Sequence, residues 1–197
     1  MQHWFAHLTM SKAERASRLE KMKPATPVEP DKFMGRWYNI EAFPWSYVKG
    51  CTDQQAVYTR VETKAGKPGI KIQNSCLDKG KLCVEEGLAE PAVGDGSNGQ
   101  LIVNFEHYFA SFSTRFTSVN LCVIAHFQQS AAMQYEYAMV GTPELDGLWL
   151  MSRSPLPIPP AVRDEFLAKA QAAGFNIGHL QRVDQQQAPK TGASNAR

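Results

Sequence analysis

Few side chains in this sequence are spaced for chemistry. Four cysteines, Cys51, Cys76, Cys83 and Cys122, form no Cys-x-x-Cys pair, and five histidines, His3, His7, His107, His126 and His179, are scattered. Neither set has the spacing of a zinc site, so no metal is expected. There is no Gly-x-Ser-x-Gly elbow to present a nucleophile and no glycine-rich loop to cradle a phosphate, so no cofactor is expected either. His107 follows Glu106 but has no nucleophile linked to it in sequence, and reads as a loop histidine. What remains is binding chemistry. Aromatic and aliphatic side chains recur on alternating positions with a few amides and carboxylates among them, the usual make-up of a small-molecule pocket.

Composition narrows the partner. The chain has 197 residues, 43% apolar and 20% charged, with a net charge of +2. That is enough for one domain with a real core plus tails. The positive excess lies in residues 1–30, and the remainder is balanced. A neutral body suits a neutral or amphiphilic partner and argues against nucleic acid. No apolar run approaches the ~18–20 residues of a membrane-spanning helix. The N-terminus shows no apolar signal core, and no cysteine precedes Cys51 as a lipidation site. The cysteines favour a periplasmic or extracellular location, and the missing signal core leaves a cytoplasmic one open.

The elements that must position these residues are mostly strands. Residues 11–23 read as a short polar helix, ended by Pro24, Pro27 and Pro30. Residues 1–30 are therefore expected to be a solvated arm and linker, with contact to anionic headgroups as the alternative. From Arg36, short runs rich in Val, Ile, Tyr and Phe predict strands near 36–43, 53–62, 69–77, 82–89, 100–106, 119–127, 134–142 and 147–153. Short loops such as Asp78-Lys79-Gly80 imply an antiparallel meander. Residues 160–173 then carry Val162, Phe166, Leu167 and Ala170 on one helical face, with Gly174 at the C-cap position. A last strand is expected over Ile177–Val183, and residues 187–197 form a polar tail.

Gly35-Arg36-Trp37-Tyr38, eight strand candidates, Leu148-Trp149-Leu150-Met151-Ser152-Arg153-Ser154-Pro155 and a C-terminal helix occur in that order. This combination resembles the lipocalin family, closest to the branch of bacterial outer-membrane lipocalins and apolipoprotein D, over residues 31–186. Periodicity alone would allow a sandwich. The resemblance chooses an all-β, eight-stranded antiparallel up-and-down barrel of calycin type, with the helix packed outside. It also implies that Trp37 and Arg153, with Gly35, plug the closed end of the barrel, where Arg153 would lie over the indole. One departure is that Thr142-Pro143-Glu144-Leu145 stands where many lipocalins carry Thr-Asp-Tyr.

Alternation then selects an inward face. If Trp37 points inward, so do Asn39, Glu41 and Phe43. If Arg153 does, so do Met151 and Trp149. Ala56 and Tyr58 represent the second strand, and Ile72 and Asn74 the third. Val103 and Phe105 represent the fifth, and Tyr137 and Met139 the seventh. On the sixth, Leu121/Val123 and Cys122/Ile124 remain alternatives. The resemblance implies ligand contact by Tyr58, Asn74 and Trp149.

Cys51 begins the second strand and Cys76 ends the third, so a bridge between them is expected, with Cys76–Cys83 as its rival. The function implied is binding and transport of a small hydrophobic ligand such as a fatty acid or lysophospholipid. The protein would be a monomer or homodimer, with contact to a membrane surface. An enzyme is not expected. The alternative is an isomerase or de-epoxidase on the same barrel, for which Glu41 is the only acid that can be named.

Overall fold

The computed structural model describes residues 10–44, 50–63, 65–106, 116–127 and 133–185. His3, His7, His107 and residues 187–197 lie outside them. Eight strands follow one another: β1 (Gly35–Ala42), β2 (Thr52–Glu62), β3 (Pro68–Asp78), β4 (Lys81–Pro91), β5 (Gln100–Glu106), β6 (Phe116–Phe127), β7 (Tyr137–Gly141) and β8 (Leu148–Ser152). Each pairs antiparallel with the next, and β1 pairs with both β2 and β8. The sheet therefore closes into an eight-stranded barrel with no free edge.

Local chemistry explains the tightest corner. Asp78 and Lys81 close a two-residue turn in which Lys79 and Gly80 have φ of 49° and 81°. Both central residues need positive φ in a turn that matches strand twist, and glycine supplies one of them without strain. This turn fixes the whole β3–β4 register, from Cys76 opposite Cys83 to Ile70 opposite Ala89.

Two apolar cores sit on opposite sides of the barrel wall. The inner one gathers Trp37, Ala56, Tyr58, Ile72, Val103, Phe105, Val140 and Met151 with their neighbours. The outer one lies beneath the C-terminal helix α3 (Pro160–Ala173) and holds Ile40, Phe43, Ile124, Met139, Leu150 and Phe166. Helix α3 buries Val162, Phe166, Ala170 and Ala173, and ends on Gly174 at φ 101°, whose N–H reaches the carbonyls of Ala170 and Gln171.

Two expectations need correction here. Residues 177–183 hold a 3₁₀ turn (Ile177–His179) and a two-residue strand β9 (Gln181–Arg182) on β1, not one continuous strand. The polar helix α1 (Lys12–Lys21) is not simply solvated. It docks on the barrel: Arg15 contacts Glu144 at 2.6 Å, Arg18 donates to the Pro143 carbonyl at 3.0 Å, and Met22 just after it is 1% exposed. A short helix α2 (Pro30–Phe33) follows and caps one end of the barrel.

Candidate functional site: the barrel interior

The end capped by α2 is sealed. Trp37 is fully buried and donates its indole N–H to the Phe33 carbonyl at 2.8 Å. The Arg153 guanidinium carbon lies 3.7 Å from the centre of its ring system. The same guanidinium donates to the carbonyls of Tyr135, Arg36 and Lys32 at 3.0, 2.8 and 3.0 Å. Burial pulls its pKa down to about 10, which leaves it charged at neutral pH. Gly35, at φ 96°, leaves room for it; a Cβ there would meet Arg153 Nη1 at 3.3 Å. Phe33 stacks on Trp37 and meets Tyr58 edge-on at 5.0 Å. Burial raises the Tyr58 phenol well above its ordinary pKa, so it stays neutral.

Beyond this plug, facing side chains follow from strand register. Trp37 pairs with Ala56, Ala56 with Asn74, Tyr58 with Ile72, and Asn74 with Glu85. Gly87 pairs with Phe105, and a Cβ on it would meet that ring at 2.7 Å, so the phenyl ring lies flat against the wall. Met151 pairs with both Asn39 and Ala138, and Trp149 with Val140. Asn39, Ala56, Tyr58, Ile72, Asn74, Val103, Phe105, Trp149 and Met151 thus share the inner face. So do Leu121 and Val123 on β6, while Cys122 and Ile124 belong to the outer core.

Four residues expected inside lie outside. A β-bulge in β1 between Asn39 and Glu41 inserts Ile40 and reverses the alternation beyond it. Glu41 consequently points outward, where Arg163 of α3 grips it through two hydrogen bonds of 2.5 and 2.9 Å. That carboxylate raises the Arg163 pKa in turn. Phe43 packs in the outer core against Phe175 and His179. On β7 the inward pair is Ala138 and Val140, whereas Met139 is in the outer core and Tyr137 lies at its margin. The interior carboxylate missed from sequence is Glu85. The Lys79-Gly80 turn alone would have found it, because it sets Glu85 opposite Asn74.

Asn39, Asn74 and Glu85 add polar groups to the inner face. The Asn39 side-chain oxygen is buried and has no hydrogen-bond partner in the protein. Its backbone carbonyl accepts from Gln185, which also bonds the Gln54 carbonyl. All four cysteines are free thiols, so the expected Cys51–Cys76 bridge is not formed. The two thiols are nonetheless neighbours, since Thr52 pairs with Leu77 beside them. Among the described residues, no cluster of three or more His, Cys, Asp or Glu could hold a metal.

A closed antiparallel barrel, plugged at one end and apolar within, defines the class of small-ligand barrels. The chain belongs to the lipocalin family, whose lipocalin-like domain matches residues 28–185. It is 28% identical over 169 residues to the outer membrane lipoprotein Blc of Vibrio cholerae, covering 85% of this chain and 88% of that one. It is 25% identical over 171 residues to temperature-induced lipocalin-1 of Arabidopsis thaliana, covering 86% of each. Insecticyanin of the tobacco hornworm Manduca sexta shares the fold, with a TM-score of 0.62 at 19% identity over 84% of this chain and 85% of that one. Membership implies binding of a small hydrophobic ligand.

Proposed function

We propose that the protein carries one lipid-like molecule, a fatty acid or lysophospholipid, inside the barrel. The observation that carries this reading is the mixed lining of the inner face. Ile72, Val103, Phe105, Trp149 and Met151 offer apolar surface, and the Asn39 side-chain oxygen is buried there without a partner. A buried acceptor without a partner is costly, and a ligand hydroxyl or protonated head satisfies it. Burial of the acyl chain supplies affinity at ~25 cal/mol per Å² before the costs of association. The enzyme alternative loses Glu41, which Arg163 holds outside, and Glu85 is the carboxylate left on the inner face.

A membrane surface is the natural source of such a ligand. The β3–β4 hairpin presents Leu82 and Val84, 63% and 52% exposed, with Leu77 opposite Leu82 and with Lys79 and Lys81 at the turn. Apolar side chains flanked by lysines suit an interfacial contact. The Vibrio relative is itself an outer membrane lipoprotein.

The test fills the proposed interior site. Asn74→Trp places an indole between Ala56 and Glu85, away from the plug. Native mass spectrometry with added oleate should show one lipid per wild-type chain and at least tenfold weaker binding by the variant, with folding checked by circular dichroism. Equal binding by a folded variant would put the ligand elsewhere.

A further inference from the structure

Three of the four cysteines meet at one end of the barrel, and their arrangement is ordered. Cys83 is exposed, on the first turn of β4. Cys76 is buried on β3 and stands directly opposite it in the ladder. Cys51 is buried just before β2, and the pairing of Thr52 with Leu77 brings it beside Cys76 from the other side. Residues directly opposite in an antiparallel pair have Cα atoms ~4.5–5.5 Å apart, within the ~4.4–6.8 Å that a disulfide spans. Cys76 is therefore the shared middle member of two feasible bridges. Cys122 lies on the outer face of β6, apart from them and 1% exposed.

We propose that Cys83, Cys76 and Cys51 form a thiol–disulfide relay in which the exposed Cys83 takes up oxidising equivalents from a low-molecular-weight disulfide and passes them inward. In the first step the Cys83 thiolate attacks one sulfur of the small disulfide, forming a mixed disulfide and releasing one small thiolate. In the second the Cys76 thiolate attacks the Cys83 sulfur, forming Cys76–Cys83 and releasing the other small thiolate. In the third the Cys51 thiolate attacks Cys76 and expels the Cys83 thiolate, leaving Cys51–Cys76. The net change is two protein thiols oxidised to one bridge and one small disulfide reduced to two thiols, which take up the two protons.

The order of entry follows from exposure and charge. Burial, with the neighbouring Cys51 thiol next, pushes the Cys76 thiol well above its ordinary pKa. The thiolate is the attacking species, so Cys76 is a poor first attacker on a disulfide in solution and acts once Cys83 holds one directly opposite it. Cys83 alone is open to solvent. The final bridge would tie β2 to β3 beside Asn74 and Glu85.

The test uses the full-length protein, reduced, then treated with glutathione disulfide, quenched with acid and mapped by peptide mass spectrometry. Wild type should finish with Cys51–Cys76 bridged, Cys83 free and Cys122 unmodified. Cys51→Ser should stop at Cys76–Cys83. Cys76→Ser should stop at a glutathione adduct on Cys83 with no internal bridge, and Cys76→Ala should repeat this if the serine disturbs folding. Cys83→Ser should form the Cys51–Cys76 bridge at least tenfold more slowly. Four free thiols in wild type, a Cys51–Cys83 bridge in the Cys76 variants, or an undiminished rate in Cys83→Ser would each overturn the relay.

Discussion

The two ends of the barrel are built on opposite terms. Among the described residues at the plugged end most polar groups are spoken for, Glu136 Oε2 excepted: one guanidinium satisfies three carbonyls, an indole N–H takes a fourth, and the Glu29 N–H bonds the Tyr135 hydroxyl. At the other end an amide oxygen is buried without a partner, and three thiols and a carboxylate line the wall. Saturated networks rigidify, whereas unsatisfied groups cost stability and persist where binding needs them. The contrast separates the residues that hold the barrel from those that can serve a ligand.

The strongest way to break the contrast is at the plug. Arg153→Ala removes three charge-assisted hydrogen bonds and the stacking on Trp37, and should cost roughly 3 kcal/mol. The urea midpoint should fall, while the folded fraction binds oleate with unchanged affinity. A normal midpoint, or a loss of binding by folded protein, would mean that the two ends are not energetically separate.

Next comes the docked arm. Arg15 reaches Glu144, whose side chain is 1% exposed, from a position itself 36% exposed. Arg15→Ala leaves that carboxylate without its cation, and about 1–2 kcal/mol of stability should be lost after allowance for solvent around Arg15. Thermal unfolding that does not change would show that helix α1 contributes nothing to the barrel.

Asn39→Leu should act with the opposite sign. Deleting a buried, unsatisfied oxygen should raise stability by about 1 kcal/mol, and removing a head-group acceptor should weaken binding of an oleoyl lysophospholipid, whose glycerol hydroxyl can donate to it, about tenfold. A variant that loses both stability and affinity would make Asn39 a structural residue. A gain in one with a loss in the other marks it as a site residue.

Much of this was legible before the structure. Strand order, the closing helix and the pairing of Trp37 with Arg153 follow from turn signals, alternation and one resemblance. The misplacements have specific physical causes. Asn39-Ile40-Glu41-Ala42-Phe43 alternates equally well in either phase, so only the hydrogen-bonded ladder reveals the bulge at Ile40. On β7 both faces are buried, one by the interior and one by α3, so hydrophobicity cannot tell Ala138 and Val140 from Met139. The docking of α1 rests on Arg15, Arg18, Leu19 and Met22, a signal too sparse to distinguish from a solvated helix. Glu85, by contrast, was within reach, because a two-residue turn sets register by counting.

The smallest effect concerns how the plugged end responds to acid. His126 stacks on Tyr135 with ring centres 4.1 Å apart, and its Nε2 lies 3.3 Å from the Thr26 hydroxyl oxygen. Burial lowers its pKa below the ordinary histidine value. The unfolded chain therefore binds the proton more readily than the folded one. Stability is unaffected by this group at neutral pH, falls as pH drops through ~6.5, and levels off below the depressed folded value. His126→Gln should flatten that part of the stability–pH curve without altering stability at pH 8 by more than about 0.5 kcal/mol. Urea melts at several pH values between 4 and 8 measure it directly. An undiminished slope in the variant would assign the acid sensitivity to other groups, and the plugged end would then be indifferent to pH.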